Sequence, residues 1–345
     1  VIVVVTGASG LLGRSVAEEI AARGHEVRTF QRRASGLAGR FSVTDNQGSV
    51  TDPDAVAAVM SGAAAVVHLA AKVSLAGSTS EFEQVNVRGT RVVIEAAEAA
   101  GVARFVQVSS PSVAHFGTAL SGLGADPADP DRARGPYAQT KAKGELLALE
   151  HDRPGFAVVA VRPHLVWGPG DTQLVERIVH RARRGRLPLI NGGTALIDST
   201  YVDNGATAIA AALEQAESAH GRPFVVTNGE PRPVAELLAG ICLAAGVEPP
   251  HWVVPSGLAL AAGLAVERWW KVFPDADEPP MTRFLAEQLS TAHWFDQRET
   301  RRALDWTPAV SIDDGFTLLA AHYARMSSRT PKLTKRSPKT RYYRA

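Results

Sequence analysis

The chain opens VIVVVTGASGLLG, residues 1–13, and no other stretch restricts its fold as tightly. Five β-branched apolar residues, Val1 to Val5, read as a strand buried on both faces. Gly7, Gly10 and Gly13 follow at three-residue spacing, and a helical pattern starts at once with Leu11, Leu12, Val16 and Ile20. A strand that ends in glycines and feeds a helix leaves unpaired N–H groups at the positive end of the helix dipole, which suits a pyrophosphate. One glycine permits the turn, one lets the phosphate approach the backbone, and one lets helix and strand pack closely. The G-x-x-G-x-x-G spacing differs from the G-x-G-x-x-G of the commonest dinucleotide turn. An ordinary glycine-rich turn is the alternative.

Strands and helices alternate from there, the pattern of a doubly wound α/β fold with a parallel sheet. Strands are predicted at His25–Phe30, Phe41–Val43, Ala64–Leu69, Ala103–Ser109 and Phe156–Val161, with helices at Pro53–Met60, Glu81–Ala100 and Pro136–Glu150. Past Pro163 the pattern loosens into a mostly helical region, including predicted helices at Leu174–Arg184, Asp203–Ala219, Pro233–Ala245 and Gly257–Val272. The expected division is a dinucleotide-binding part at 1–165, a smaller substrate-binding part at 166–328 interleaved with the sheet, and a tail at 329–345.

With 345 residues, 45% hydrophobic and 21% charged, the chain has the composition of an ordinary globular protein and enough length for a full core. A lone cysteine, Cys242, forms no internal disulfide and fits a reducing compartment. No apolar run reaches the ~18 residues that span a bilayer, and the opening on a core strand reads as lacking a signal peptide. The expectation is a cytoplasmic protein. The net charge of +2 hides an asymmetry: without the seven Lys and Arg of 329–345, 30 basic residues face 35 acidic ones. The tail reads as solvated and disordered, and no nucleic-acid partner is expected.

Tyr137 and Lys141, one helical turn apart in YAQTK, share a helix face. An ammonium beside a phenol favours the phenolate, so the pair suits general acid/base work on a carbonyl/alcohol couple, and Lys141 could also hydrogen-bond a ribose. Ser109 and Ser110 end a predicted strand at the carboxyl edge, where open α/β sheets bind ligands and where a serine hydroxyl can hold a substrate oxygen. The plain alternatives are a surface helix carrying one tyrosine and one lysine, and serines that cap a turn. The ten histidines, with His68 and His115 near the expected site, show no metal-ligand spacing, so no metal is expected.

TGASGLLG, HLAA (68–71), NVRGT (86–90), VSSPSV (108–113), YAQTK (137–141), RPHLVWGPGD (162–171) and YVDN (201–204) occur in the order seen in extended short-chain dehydrogenases/reductases. The chain resembles that family over nearly its whole length, and within it the 3β-hydroxysteroid dehydrogenase group, which includes sterol-4-carboxylate 3-dehydrogenases and 2-alkyl-3-oxoalkanoate reductases. The resemblance implies a Rossmann fold and hydride transfer between a nicotinamide cofactor and a secondary alcohol or ketone. It implies Tyr137 as acid/base, Lys141 as its partner and Ser110 as the group that positions the substrate oxygen. It sets Gly7, Gly10 and Gly13 against the pyrophosphate with Ser9, Leu11 and Leu12 beside them. Leu69, Ala70 and Ala71 would lie under the cofactor, Pro163 and Val166 at the nicotinamide, and Ser49 and Val50 near adenine. Asn86 is structural on this reading.

The second strand ends at Gln31 with Arg32 and Arg33 behind it. An acid at that place holds ribose hydroxyls, whereas arginine accommodates a 2′-phosphate, so NADP(H) is favoured and NAD(H) is the alternative. Trp252–Phe273 holds Trp252, Trp269, Trp270 and Phe273 and reads as the wall of a pocket for a sterol-like or long-chain substrate; a core helix pair and weak membrane-surface docking are its alternatives. A homodimer stays open. Pro111-Ser112 stands where sugar dehydratases carry an acidic pair, which argues against that chemistry. A nucleotide-sugar epimerase or reductase of the same fold, and a non-catalytic dinucleotide-binding regulator, are the competing functions.

Overall fold

The computed structural model describes residues 1–40, 42–74, 77–272 and 283–329. Its first half runs β1 (Ile2–Thr6), α1 (Leu11–Ala22), β2 (Glu26–Gln31), β3 (Val43–Gln47), α2 (Pro53–Met60), β4 (Ala65–His68), α3 (Thr79–Glu83), a π turn at Gln84–Arg88, α4 (Gly89–Ala99), β5 (Arg104–Val108), a 3-10 turn at Pro111–Ala114, β6 (Leu120–Leu123) and α5 (Gly135–Glu150). The second half runs β7 (Ala157–Pro163), β8 (Val166–Trp167), α6 (Val175–Arg183), β9 (Leu189–Ile190), β10 (Leu196–Ile197), β11 (Thr200–Tyr201), α7 (Val202–Glu214), α8 (Ala216–Ala219) and β12 (Arg222–Val226). It ends with β13 (Arg232–Pro233), α9 (Val234–Ala244), β14 (Val253–Val254), α10 (Ser256–Val272), α11 (Arg283–Ser290), β15 (His293–Phe295), α12 (Arg298–Leu304) and α13 (Ile312–Arg329).

Seven strands form one parallel sheet in the order β12-β7-β5-β4-β1-β2-β3. β1 lies in the interior of that sheet because its side chains are apolar on both faces. Val3 and Val5 pack with Val16, Ile20 and Ile209 on one side, and Val4 packs with Val66, Val56 and Ile94 on the other. The strand order changes direction between β1 and β4. In open α/β sheets ligands bind outside the carboxyl ends of the strands at that switch. A third core, built from Trp167, Ile178, Leu237, Leu238 and Ile312, belongs to the C-terminal half. β12 returns late in the chain to complete the sheet, and α7 packs back on α1, where Gly205 lets Leu12 come close.

Three predicted elements are corrected. The third strand is Val43–Gln47 rather than Phe41–Val43; as an edge strand it needs no apolar run, so its TDNQ sequence hid it. Phe41 lies outside the described residues. The predicted helix Glu81–Ala100 is three pieces, because a π turn at Gln84–Arg88 widens the backbone. There Asn86 Oδ1 accepts the Lys72 amide at 2.7 Å, and its Nδ2 donates to Thr140 of α5 at 3.0 Å. The predicted helix Asp203–Ala219 breaks at Gln215 into α7 and α8.

A buried ion pair ties α5 to the sheet. Arg162 of β7 donates to Glu145 of α5 through Nε at 2.9 Å and Nη2 at 2.5 Å, and Nη1 reaches the Asp126 carbonyl at 2.6 Å. Both side chains are about 1% exposed. Removing one partner strands a charge, so Arg162→Met is expected to cost roughly 3–5 kcal/mol. Chemical denaturation of the variant checks this; a loss below about 1 kcal/mol, the value of an exposed pair, would contradict it.

Candidate active site

The turn after β1 is shaped by contacts that no side chain could survive. Gly7 has a φ of 80°, and a Cβ there would sit 2.8 Å from the Ala70 amide nitrogen. A Cβ on Gly13 would sit 2.4 Å from the Gly7 carbonyl oxygen. Gly10 is the N-cap of α1, with no side-chain cap and no acid in the first turn, so the leading amides of the helix face outward unneutralised. Thr6 Oγ1 accepts the Ala70 amide at 3.1 Å and meets His68 Nδ1 at 2.7 Å, while His68 Nε2 meets Thr90 at 3.2 Å. Burial, then the charge of Lys141, pushes His68 down to about 3, so it is a neutral strut beneath the turn. Ser9 is exposed, Leu11 and Leu12 are half-buried, and Leu69 to Ala71 run past the end of β4 alongside.

At the end of β2, Gln31 is buried and donates to the Asp45 carboxylate of β3 and to the Asn46 carbonyl, leaving its Oε1 without a partner among the described residues. Arg32 and Arg33 are exposed behind it. Asp45 was not foreseen: it sits two residues short of Gln31 in register, and also takes Thr29 Oγ1 at 2.7 Å and the Ser35 amide at 2.9 Å. Arg14 of α1 donates to the Ser35 carbonyl, which adds a third guanidinium to this loop. Val50 is a core residue under Gly89, and Ser49 bonds Thr51 at 2.8 Å. Uncapped amides, a cradle that a Cβ would fill and an unpartnered buried Gln31 oxygen together fit a dinucleotide laid from α1 toward β2.

Ser110, Tyr137 and Lys141 converge past the carboxyl ends of β5 and β7. Ser110 N-caps the Pro111–Ala114 turn, taking the Ser112 amide at 3.3 Å and the Ser112 hydroxyl at 3.0 Å, so it is both a cap and a hydroxyl facing the phenol. Lys141 is 5% exposed, and its Nζ donates to the Val108 carbonyl at 2.5 Å. Burial pulls it down to about 8, against the upward pull of Glu145. One expectation fails here. The ammonium does not bring the phenol down: burial raises Tyr137 above its ordinary 10, and the Ser110 hydroxyl only partly offsets that.

Tyr137 and Ser110 form one wall of a cavity of about 250 Å³. Leu174 and Ile178 from the α6 region, and Val234, Leu237, Leu238 and Ile241 of α9, make it apolar. His115, His164 and His293 sit at its polar end. His164 and His293 were not singled out from sequence; one is buried inside a longer motif and the other stands in an isolated AHWF. Leu165, also in the wall, has a φ of 44° that no pattern announces. The expected wall from Trp252–Phe273 is corrected: Trp252 is 42% and Trp269 63% exposed, and neither lines the cavity. The Trp270 side chain and Phe273 lie outside the described residues. Pro163 is buried at the end of β7, and Val166 starts β8, paired with Thr200. Among the described residues no group of three or more His, Cys, Asp or Glu could hold a metal ion, and no helix is long and apolar enough to cross a membrane.

Residues 3–227 match the model of the NAD dependent epimerase/dehydratase family. The chain belongs to that family, the extended short-chain dehydrogenases/reductases. It is 40% identical over 328 residues to a 2-alkyl-3-oxoalkanoate reductase of Stenotrophomonas maltophilia (strain K279a), covering 93% of this chain and 99% of the relative. It is 28% identical over 335 residues to a 3-beta-hydroxysteroid dehydrogenase of Mycolicibacterium neoaurum, covering 93% and 91%. Among solved structures, MoeE5 in complex with UDP-glucose and NAD superposes with a TM-score of 0.72 at 23% identity, covering 94% of this chain and 99% of that one. The extended-family member described here is an NAD(P)-dependent oxidoreductase acting on a CH–OH group.

The raised phenol sets a pH signature. We propose Tyr137 as the acid/base group: alcohol oxidation would then need its phenolate, so kcat/KM is expected to climb through neutral pH and still rise near pH 9, whereas carbonyl reduction would use the protonated phenol and stay level to about pH 8. An oxidation profile that levels off below about pH 7 would contradict this assignment.

Proposed function

We propose that this enzyme interconverts a secondary alcohol and a ketone on a hydrophobic, long-chain β-hydroxy/β-oxo acid or sterol-like substrate, using NADP(H) in preference to NAD(H). The observation that carries the reading is Tyr137 and Ser110 in the wall of an apolar cavity, with Lys141 one helical turn from Tyr137 and held on the Val108 carbonyl. The apolar lining from α6 and α9 disfavours the nucleotide-sugar alternative, and the intact Tyr/Lys/Ser set disfavours a non-catalytic regulator. At about 250 Å³ the cavity is below the usual range for a whole drug-sized ligand, so it encloses one end of a long molecule.

The dinucleotide, when bound, supplies or accepts the hydride. In reduction, Tyr137 gives its proton to the carbonyl oxygen as that oxygen gains negative charge, and burial keeps this proton in place until then. Ser110, its own lone pairs engaged by Ser112, donates to the same oxygen and fixes it beside the phenol. Lys141 holds a positive charge beneath the site, which opposes the cost of a phenolate once the proton has left. Gly7, Gly10, Gly13 and the first turn of α1 would hold the pyrophosphate, and Arg14, Arg32 and Arg33 would face a 2′-phosphate.

Two readouts test the proposal. In a binding titration NADP⁺ is expected to bind at least about tenfold tighter than NAD⁺, with the gap closing in Arg32→Ala/Arg33→Ala. Reduced-nicotinamide absorbance is expected to fall with long-chain β-oxo acids or 3-oxosteroids. Equal affinity for the two dinucleotides would remove the cofactor preference, and nucleotide binding without turnover of any carbonyl compound would favour the regulator.

A further inference from the structure

Three imidazoles from distant parts of the chain crowd one corner of the cavity. His115 follows the Pro111–Ala114 turn, His164 follows β7, and His293 opens β15. The ring centroids of His115 and His293 are 4.7 Å apart and those of His164 and His293 are 6.0 Å apart, both edge to face. All three rings are buried, and the cavity around them is otherwise mostly apolar.

Their hydrogen bonds define where protons sit. His164 Nδ1 is 2.6 Å from the Asp198 carbonyl oxygen, so it carries its proton there and leaves Nε2 with a lone pair. Thr291 gives its hydroxyl proton to the Glu287 carbonyl at 2.7 Å, so His293 Nε2, 3.2 Å from the same hydroxyl, is the donor. Among the described residues, His293 Nδ1 is then a buried lone pair with no partner, and neither nitrogen of His115 has one. A half-turn about χ2 exchanges each ring nitrogen of His115 with a carbon inside the same outline, so the ring can present nitrogen to the cavity. A neutral His115 carries one N–H, which can meet only one of the lone pairs on His164 Nε2 and His293 Nδ1, so the other stays unsatisfied. The missing element is a proton, together with an anion that would hold it there.

The surrounding charges leave that role to the histidines. Arg134 is paired with Glu287 at 2.9 Å, Lys141 is held on the Val108 carbonyl, and the Asp198 carboxylate is engaged by Thr227 and by the amides of Gly229 and Glu230. Tyr137 faces the reacting oxygen. Burial, and then the charge of His115 on both and of His164 on His293, keeps the free rings neutral, His164 near about 4 and His293 near about 3; burial lowers His115 too, against the upward pull of the Glu287 carboxylate and with the Arg134 guanidinium. An arriving anion reverses that balance.

We propose that His115, His164 and His293 form a carboxyl-binding site that takes the acid group of the substrate together with one proton. This rests on the substrate reading above and narrows it: the substrate is a β-hydroxy/β-oxo acid rather than a neutral ketone. Ser110 and His115 flank the four-residue Pro111–Ala114 turn, and both line the cavity. A β-hydroxy acid carries its hydroxyl and its carboxyl group on a three-carbon span, so the two flanking side chains would each meet one of its polar groups. The alkyl branches then run along α6 and α9.

The test compares a long-chain 2-alkyl-3-hydroxyalkanoate with its methyl ester as substrates for oxidation; the hydroxy acid is used because β-oxo acids lose CO₂ spontaneously. The native enzyme is expected to prefer the acid by at least about 30-fold in kcat/KM, the size of a buried charge-assisted contact. His115→Phe is expected to collapse that ratio chiefly through KM of the acid, and His115→Gln to retain part of it. Calorimetry with a saturated 2-alkyl fatty acid, run in two buffers of different ionisation enthalpy, is expected to show uptake of about one proton on binding. Equal use of acid and ester by the native enzyme, an unchanged ratio in His115→Phe, or binding without proton uptake would each overturn the proposal. If neither compound is oxidised, the substrate class proposed above fails, and the calorimetry still decides the carboxyl site. It decides equally should the Phe variant not fold.

Discussion

A positive charge held away from water is the constraint around which the site is arranged. Lys141 is buried, and a backbone carbonyl at the end of β5 fixes its ammonium. Such a charge persists only where the surroundings are rigid and partly compensating. Glu145, one turn further along α5, supplies the compensation and is itself anchored by Arg162 in the sheet. The carboxylate thus does two jobs: it welds α5 to β7, and it keeps an ammonium charged below a phenol. Asn86 and Thr140 add a second tie, from the π turn to the same helix. Tyr137 and Lys141 therefore ride on a helix that has little freedom to shift.

The glycine turn is a constraint of a different kind. Gly7 and Gly13 are required because backbone atoms occupy the space of a Cβ; a Cβ on Gly10 would meet the Gly7 carbonyl oxygen only at an ordinary 3.6 Å, and Gly10 serves as an uncapped helix start. The same three letters at equal spacing thus have unequal jobs. With both constraints in place, the glycine turn stands at the switch between β1 and β4, and Tyr137 and Ser110 line the apolar cavity.

Much of this was legible in the residues. β1 announced itself because an apolar run on both faces has one place to go, and α5 because YAQTK carries its chemistry at helical spacing. The edge strand Val43–Gln47 was not legible, since a strand at the sheet margin needs no apolar pattern. The break at Gln84–Arg88 was hidden for the opposite reason: its residues keep a helical pattern while a buried Asn86 takes up backbone bonds from Lys72. The histidine corner depends on three segments meeting in space, and Asp45 on a strand register, neither of which local spacing encodes. Trp252 and Trp269 misled in the other direction, because aromatic content does not say which way a ring points.

The central claim is that Tyr137 moves the proton while the turn at Gly7 holds the nucleotide, two tasks carried by separate atoms. Tyr137→Phe removes one oxygen and leaves the ring in place. Measured together, dinucleotide affinity is expected to change by less than about threefold, while kcat falls by at least about 10²-fold, the usual reach of a positioned acid. A variant that keeps more than about a tenth of native turnover at unchanged affinity would contradict the account.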